Sequence, residues 1–489
     1  MLTRMRLRIP ALIFCFSLCL SCCLRGALRA QTVQAVQTRS DLSKVMEDVP
    51  GLAFEDSTGV PGALPEILVD SAERYQAMDG FGASLTDGSA WLLQERLPPA
   101  QRQQVMRRLF DPAHGAGLSF LRQPIGATDL SSDVYSFDDM PAGQTDPQLH
   151  HFSAKHDEAY VFPVIREALK VNPAITVMAT PWSPPGWMKT RLTMDGGMLR
   201  EDAMSAYAMY LVRSVEAFQH AGVPVRYLSV QNEPLNETKN YPGTLMPEEQ
   251  ATRLVGSYLG PDLRKAGLDT RILVYDHNWD HPEYPIAMLS DPLAAPFLYG
   301  TALHCYGGAV SAQDAIHQRF PEKGIWLTEC SGGVWQRETP LLATTHLLMD
   351  STRHWAKSVS LWAVALDSDH GPHTGGCKGC RGLVTIDLHA SPPTVSYNGD
   401  YYALAHAGKY VRPGATRIGS TSFGRDGLET VAFQNVDGTV ALLMLNNRSE
   451  PMPFTVRWKG RSFSASLLPG ALATYSWKPS QVSTGTAAK

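Results

Sequence analysis

The sequence predicts an α/β protein: a (β/α)8 TIM barrel with an attached β-sandwich domain. Three observations carry this. The chain has 489 residues, too many for one ordinary core and enough for a large barrel plus a smaller domain. Between Ala77 and Leu366, short apolar runs alternate with longer amphipathic stretches, about eight times over. After Asn398 the pattern changes to short alternating pieces separated by turns.

The first 30 residues read as an export signal. Arg4, Arg6 and Arg8 precede an apolar run from about Ile9 to Leu24, and small residues end at Ala30. The run is short for a spanning helix, so cleavage near Ala30 and a secreted or periplasmic protein without a stable membrane span are expected. "CLSCC", at Cys19 to Cys23, leaves a lipoprotein anchor as the alternative. Residues 31–76 contain the strand-like "LPEILVD" and are expected to contribute strands to the sandwich.

Residues 77–397 hold the expected barrel. Its strand candidates are "MDGFGAS", "GLSFLRQPIG", "ITVMATPWS", "YLSVQNEP", "ILVYDHNW", "TALHCYGG", "GIWLTEC" and "SVSLWAVAL". A helix candidate such as "EDAMSAYAMYLVRSVEAFQHAG" carries apolar residues at three- and four-residue steps, with Gly222 and Pro224 as its stop. A doubly wound sheet is the other fold with this alternation, but no Gly-rich phosphate loop follows the first strand. Residues 398–478 read as the sandwich, with an Asp437-Gly438 turn between two strands. The tail, residues 479–489, has the composition of a disordered segment.

Net charge is −4 and no basic block stands out, which argues against a nucleic-acid partner. Of eight cysteines, Cys305, Cys330, Cys377 and Cys380 lie beyond the signal. "GGCKGCRG" makes Cys377 and Cys380 a close pair. Zinc would need a second such pair, so in an exported chain a loop-stapling disulfide is expected.

A barrel carries its chemistry at the C-terminal ends of its strands. That rule selects Arg122 and Asp129 after strand two, Trp182 and Trp187 after strand three, and Asn232 and Glu233 after strand four. It also selects His304 and Tyr306 after strand six, Glu329 after strand seven and Trp362 after strand eight. Two glutamates thus face each other across the mouth among aromatic rings. Glycoside hydrolysis needs such a pair, one to protonate the departing oxygen and one to attack the anomeric carbon or activate water. Either glutamate alone could be the ion-pair partner of Arg122. Trp182 and Trp187 read equally as rim packing, and His304, expected among the substrate-binding residues from its position, reads equally as a structural histidine. Glu233, His304 and Glu329 could converge on a metal, but no HExxH or similarly spaced set exists, so neither metal nor cofactor is expected.

"DGFGASLTDGSAWLL", "LRQPIGATDLS", "TPWSPPGWMKT", "SVQNEP", "LTEC", "LWAVALD" and "YYALAHAGKYVRPGATRI" together resemble glycoside hydrolase family 30, the family of lysosomal glucosylceramidase, from about Met78 to Gly419. The resemblance implies a retaining β-glycosidase in which Glu233 is the acid/base and Glu329 the nucleophile. It implies sugar contacts from Asp129, Trp182, Asn232, Tyr306 and Trp362, with Arg122 beside the pair. Two features depart from glucosylceramidase: Cys305 stands where that enzyme has a tryptophan, and the loop "DSDHGPHTGGCKGCRG" differs.

The expected partner is a β-linked glycoside or glycolipid, in the first place a β-glucoside such as glucosylceramide. Endo-β-1,6-glucanase and β-xylosidase are the alternatives within the same chemistry. A non-catalytic carbohydrate-binding protein is the alternative of another class, against which the retention of both glutamates argues. Two carboxyls at retaining distance also predict that an ionised Glu329 raises the pKa of Glu233 from about 4.3 toward about 6.

Overall fold

The computed structural model describes residues 31–56 and 64–479. The expected export signal, and the tail from Ser480, lie outside the described residues. Eight parallel strands close into a barrel. They are β1 (Gly80–Ser84), β2 (Phe120–Ile125), β3 (Thr176–Pro181), β4 (Val225–Ser229), β5 (Arg271–Asn278), β6 (Leu298–His304), β7 (Gly324–Glu329) and β8 (Ala356–Leu361). Strand β8 pairs back onto β1, Ser358 opposite Gly80. Gly82 is needed for the close approach of β1 to β2, since a Cβ there would lie 1.7 Å from the Phe120 carbonyl oxygen.

The strands are apolar on both faces because one fills the barrel and the other meets the helices. Phe120, Met178, Tyr227, Leu273, Ala302 and Trp326 form one inner layer. Two residues further along five of these strands stand Arg122, Thr180, Ser229, His304 and Thr328, all buried. The period of two therefore sets a polar layer above the apolar one, at the end where the barrel opens to its site.

Strand β5 breaks that period. Ala302 pairs with Tyr275, but the next residue, Leu303, pairs with His277. Tyr275 and Asp276 have φ of 77° and 56°, left-handed conformations that non-glycine residues rarely adopt. This bulge sends Tyr275 into the outer core and turns Asp276 into the barrel, where simple alternation from Leu273 points it outward.

The sandwich draws strands from both ends of the chain. Gln31–Arg39 pairs antiparallel with Ala471–Trp477 and with Leu52–Asp56. Glu66–Ala77 pairs with Thr416–Ser420 and with Met452–Trp458. Leu428–Gln434 and Val440–Asn446 form the expected hairpin, with Gly438 at φ 83° in its turn. These last two strands, and Ala471–Trp477, are buried on both faces. Ala432, Leu442 and Tyr475 point into the sandwich core, while Phe433, Leu443, Leu445 and Leu472 join the barrel's core. At about 1.5–3 kcal/mol for each large side chain buried, that second face fastens the two domains together.

The domain boundary differs from the one expected at 398. The helix Gly399–Gly408 packs its Tyr401, Ala403, Leu404 and Ala407 into the barrel's core, and the sandwich resumes only with Thr416–Ser420. Its buried His406 contacts the Thr38 and Thr474 hydroxyls of the sandwich at 2.9 Å each, so it is the seam between the domains. Among the described residues no helix is long and apolar enough to cross a membrane.

Candidate active site

The polar layer at the barrel mouth is organised by Arg122. Its side chain is fully buried, and it donates to Glu329 Oε2 at 2.5 Å, Asn232 Oδ1 at 2.6 Å and Asp276 Oδ2 at 2.8 Å. Its guanidinium lies over Trp182 (4.7 Å to the ring centroid) and Trp362 (5.9 Å). Asp276 also accepts from the hydroxyls of Thr180, Ser229 and Thr328, at 2.9, 2.8 and 2.6 Å. Burial would favour its neutral form, but the Arg122 charge and the His304 bond hold it far below the ordinary carboxylate range.

The two glutamates meet as expected: an oxygen of Glu233, an oxygen of Glu329 and a nitrogen of His304 all lie within 4.8 Å of one another. Glu329 accepts from Arg122 and, at 2.9 Å, from the Tyr306 hydroxyl. Glu233 sits just past β4 with φ 45°, and its amide donates to the Asp276 carbonyl. Its Oε2 accepts from Asn236 Nδ2 at 2.8 Å, and its Oε1 lies 3.1 Å from His304 Nδ1. The other imidazole nitrogen lies 3.1 Å from Asp276 Oδ1.

His304 is therefore not the sugar ligand expected from its position. It is buried, and both ring nitrogens face carboxylates. Burial would strip its proton. The Glu329 charge and the bonds to Asp276 and Glu233 outweigh that and push it up to about 9. Both imidazole nitrogens are thus engaged by carboxylates, and Glu233, His304 and Glu329 form one connected cluster.

This cation on Glu233, and burial on Glu329, together reverse the expected electrostatic order of the pair. Burial would raise Glu233, but the His304 bond and charge, aided by His277 and Asn236, bring it down to about 2. Burial, with a contribution from Glu233, instead pushes Glu329 up, against the pull of His304 and Arg122. Of the two bonded groups, His304 therefore holds a proton far more tightly than Glu233.

The other expected residues divide. Asp129 is buried beside the pair and accepts from the Cys377 amide at 3.2 Å. Burial and the charges of Glu329 and Glu233 push it up to about 7. Asn232 gives its oxygen to Arg122. Trp182 and Trp362 are both buried and stack on each other at 4.9 Å and 23°. Trp187 is not brought to the pair: it packs in the outer core, and its indole N–H donates to Asp138 Oδ2 at 2.9 Å.

Cys377 and Cys380 are joined in the expected disulfide. Their loop closes against Asp129: Thr374 and Cys377 donate backbone bonds to that residue. Gly376, at φ 52°, leaves room that a Cβ would fill 2.3 Å from the Asp129 Cβ. A second disulfide, Cys305–Cys330, was not read from the sequence. Its only local sign is that each cysteine directly follows a site residue, His304 or Glu329. Asp276 and Asn236 were missed as well. The first is hidden by the bulge, although "YDHNW" is a dense polar cluster for a strand end. The second stands in the Asn236-Glu237-Thr238 sequon, yet its amide is engaged with Glu233.

A family model for the glycosyl hydrolase family 30 TIM-barrel domain matches residues 78–410, and one for the family's β-sandwich domain matches residues 414–475. The chain is 34% identical over 409 residues to an endo-1,6-β-D-glucanase of Neurospora crassa, covering 80% of this chain and 84% of that protein. It is 26% identical to the lysosomal acid glucosylceramidase of Mus musculus, covering 84% and 83%. Among solved structures it is similar to the endo-β1,6-glucanase BT3312, with a TM-score of 0.84, 32% identity and coverage of 92% and 99%.

Proposed function

The chain belongs to glycosyl hydrolase family 30, and on that premise we propose that it is a retaining glycoside hydrolase that cleaves internal β-1,6-glucosidic bonds. The observation that carries the reaction is the carboxylate pair, with oxygens within 4.8 Å of one another. That supports the about 5–5.5 Å separation of a retaining pair over the about 6.5–9.5 Å of an inverting one. The linkage rests on the relatives above 30% identity that span most of the chain and carry that activity in their names.

Each residue then has a task. Glu329, aimed by Arg122 and Tyr306, attacks the anomeric carbon and forms a glycosyl ester. Glu233 protonates the departing oxygen. Substrate covering the mouth removes water from Glu233, which raises its affinity for the proton that His304 Nδ1 holds 3.1 Å away. Once Glu329 is esterified its charge is gone, and Glu233 reverts to a base that takes a proton from the incoming water. Asp129, Asn232 and the edges of Trp182 and Trp362 are placed to meet sugar hydroxyls and ring faces.

Purified protein assayed on a β-1,6-glucan, glucosylceramide, an aryl β-glucoside and an aryl β-xyloside tests the reading. Shortening of the glucan, with the first product in the β-configuration, is expected. An α-configured first product would sink the retaining mechanism. Turnover of glucosylceramide with an untouched glucan would favour the second reading, glucosylceramidase. The exposed Val334 and Trp335 in the loop after β7 support that one as a surface for an apolar aglycone.

We also propose that the protein is exported. The strand Gln31–Arg39 buries Val33, Ala35 and Val36 in the structure, and cleavage at Ala30 leaves it whole. Mass spectrometry of secreted protein should find the N-terminus near Gln31. A chain retaining Met1 would contradict this, and a lipid on Cys22 or Cys23 would make it a lipoprotein.

A further inference from the structure

The second disulfide lies where the barrel ladder ends. The last pair between β6 and β7 is His304 opposite Glu329, with a register slip just before it at Leu303/His304. Beyond that pair no backbone ladder holds the two chains together, and they leave as separate loops. The next residue on each side is a cysteine, and the two are bonded. After Cys305 comes Tyr306, whose hydroxyl reaches back to Glu329 Oε1 at 2.9 Å. The bridge therefore closes a small ring: Glu329, Cys330, Cys305, Tyr306, and back to Glu329 through the hydrogen bond.

Further contacts extend this ring around the mouth. The Cys330 carbonyl accepts from the Trp362 amide at 2.8 Å, and Ser331 Oγ contacts Cys380 Sγ at 3.0 Å. Gly333 is bridged to Cys380. The first disulfide is thus linked to the second, and through the Cys377 amide to Asp129. Tyr306 has few other contacts, its ring meeting the His304 imidazole edge to face at 6.1 Å between centroids. Its side chain is among the exposed large apolar groups, and its backbone is anchored by one bond, from its amide to Asn278 Oδ1 at 3.1 Å. Without the bridge, the phenol stands on a loop past β6, while the carboxylate it must meet is fixed at the end of β7 by the ladder and by Arg122.

We infer that the Cys305–Cys330 disulfide is a positioning element for the nucleophile: it holds the Tyr306 hydroxyl on Glu329 and so sets the orientation and ionisation of that carboxylate. The inference rests on the reading of Glu329 as nucleophile. A donated hydrogen bond favours the ionised carboxylate, so losing it shifts the proton affinity of Glu329 upward. A staple that served stability alone would leave that affinity untouched.

The test is a double-mutant cycle on the full chain. Cys305→Ser/Cys330→Ser removes the bridge with little change of volume, and Tyr306→Phe removes the hydroxyl. Each should lower kcat on an aryl β-glucoside about 10-fold with a much smaller change in KM, and move the acidic limb of kcat/KM to higher pH. The two together should be no worse than either alone, because both break the same contact. A double-serine variant that melts earlier but keeps the wild-type kcat and pH limb would overturn the inference. So would additive effects, or a Tyr306→Phe enzyme with an unmoved limb. Should the double-serine protein fail to fold, mild reduction of native wild type with thiol mapping replaces it. Activity should fall as the Cys305 and Cys330 thiols appear, and fully active protein with both thiols free would refute the claim. Glu329→Gln serves as control. If it is inactive while the bridge variants behave as wild type, only this inference fails; if it is active, the assignment of the nucleophile fails.

Discussion

The imidazole of His304 touches the carboxylate of Glu233 at 3.1 Å through Nδ1, so the residue expected to deliver a proton to the substrate is itself bonded to a buried cation. The proton inventory of the site therefore belongs to the pair and not to Glu233 alone.

The first prediction follows from that bond. His304→Gln keeps a donor for one neighbour but cannot carry the proton. It should lower kcat/KM on the order of 10²-fold for substrates with poor leaving groups. The basic limb of the wild-type profile should approach pH 9, where His304 deprotonates, and should move to lower pH in the variant. A steady-state pH series on both proteins checks this, and coincident basic limbs would contradict it.

The glutamates should differ in kind. Glu329→Gln should abolish turnover of every substrate, since no glycosyl ester can form. Glu233→Ala should cost most with poor leaving groups and least with activated aryl glycosides. Azide should restore turnover of Glu233→Ala and yield the β-azide, while any azide product of Glu329→Ala should be the α-anomer. Proton NMR of the products distinguishes them, and reversed anomers would exchange the two roles.

Asp276 is where stability and catalysis meet. It balances the charges of both Arg122 and His304 in a fully buried setting. Breaking such a pair by removing one charge costs about 3–5 kcal/mol. Asp276→Asn should therefore lower the denaturation midpoint as well as kcat. By contrast Ser229→Ala, which removes one of three hydroxyl donors to Asp276, should cost about 1 kcal/mol. Denaturant titrations of the two variants measure the gap, and equal midpoints would show that Asp276 is not the electrostatic centre of the site.

Asp129 gives the stability a pH dependence of predictable sign. Its folded carboxyl lies at about 7 against an ordinary 3.8, because burial and the neighbouring glutamates disfavour its charge. The fold prefers the protonated form, so this contribution is present below pH 3.8 and is lost as pH rises through 7. Asp129→Asn keeps an acceptor for the Cys377 amide and removes the titration. The variant should melt above wild type at pH 8, with the difference shrinking toward pH 4, while sugar binding weakens. Melting curves across that range decide it, and a constant offset would show that Asp129 does not titrate with folding.

The barrel, the sandwich built from both chain ends, and the two glutamates were legible in the sequence because their signals are local. Apolar runs with the period of a strand or a helix identify the elements, and the strand-end rule then selects Glu233, Glu329, Arg122 and Asp129. The close spacing of Cys377 and Cys380 was enough to read their bridge. What only the tertiary structure decided depends on contacts between distant residues. Asp276 reaches Arg122 across 154 positions, and a one-residue bulge turned it inward against the alternation on which any reading of β5 relies. His304 meets Glu233 across 71 positions, and its role changed from sugar ligand to buried cation because carboxylates close on both of its nitrogens. That cation acting on Glu233, with burial acting on Glu329, inverted the expected order of the glutamates, since a proton affinity sums burial and every charge that folding brings near. Cys305 found Cys330 only because β6 and β7 are neighbours in the closed barrel, an adjacency that parallel pairing creates between strand ends 25 residues apart.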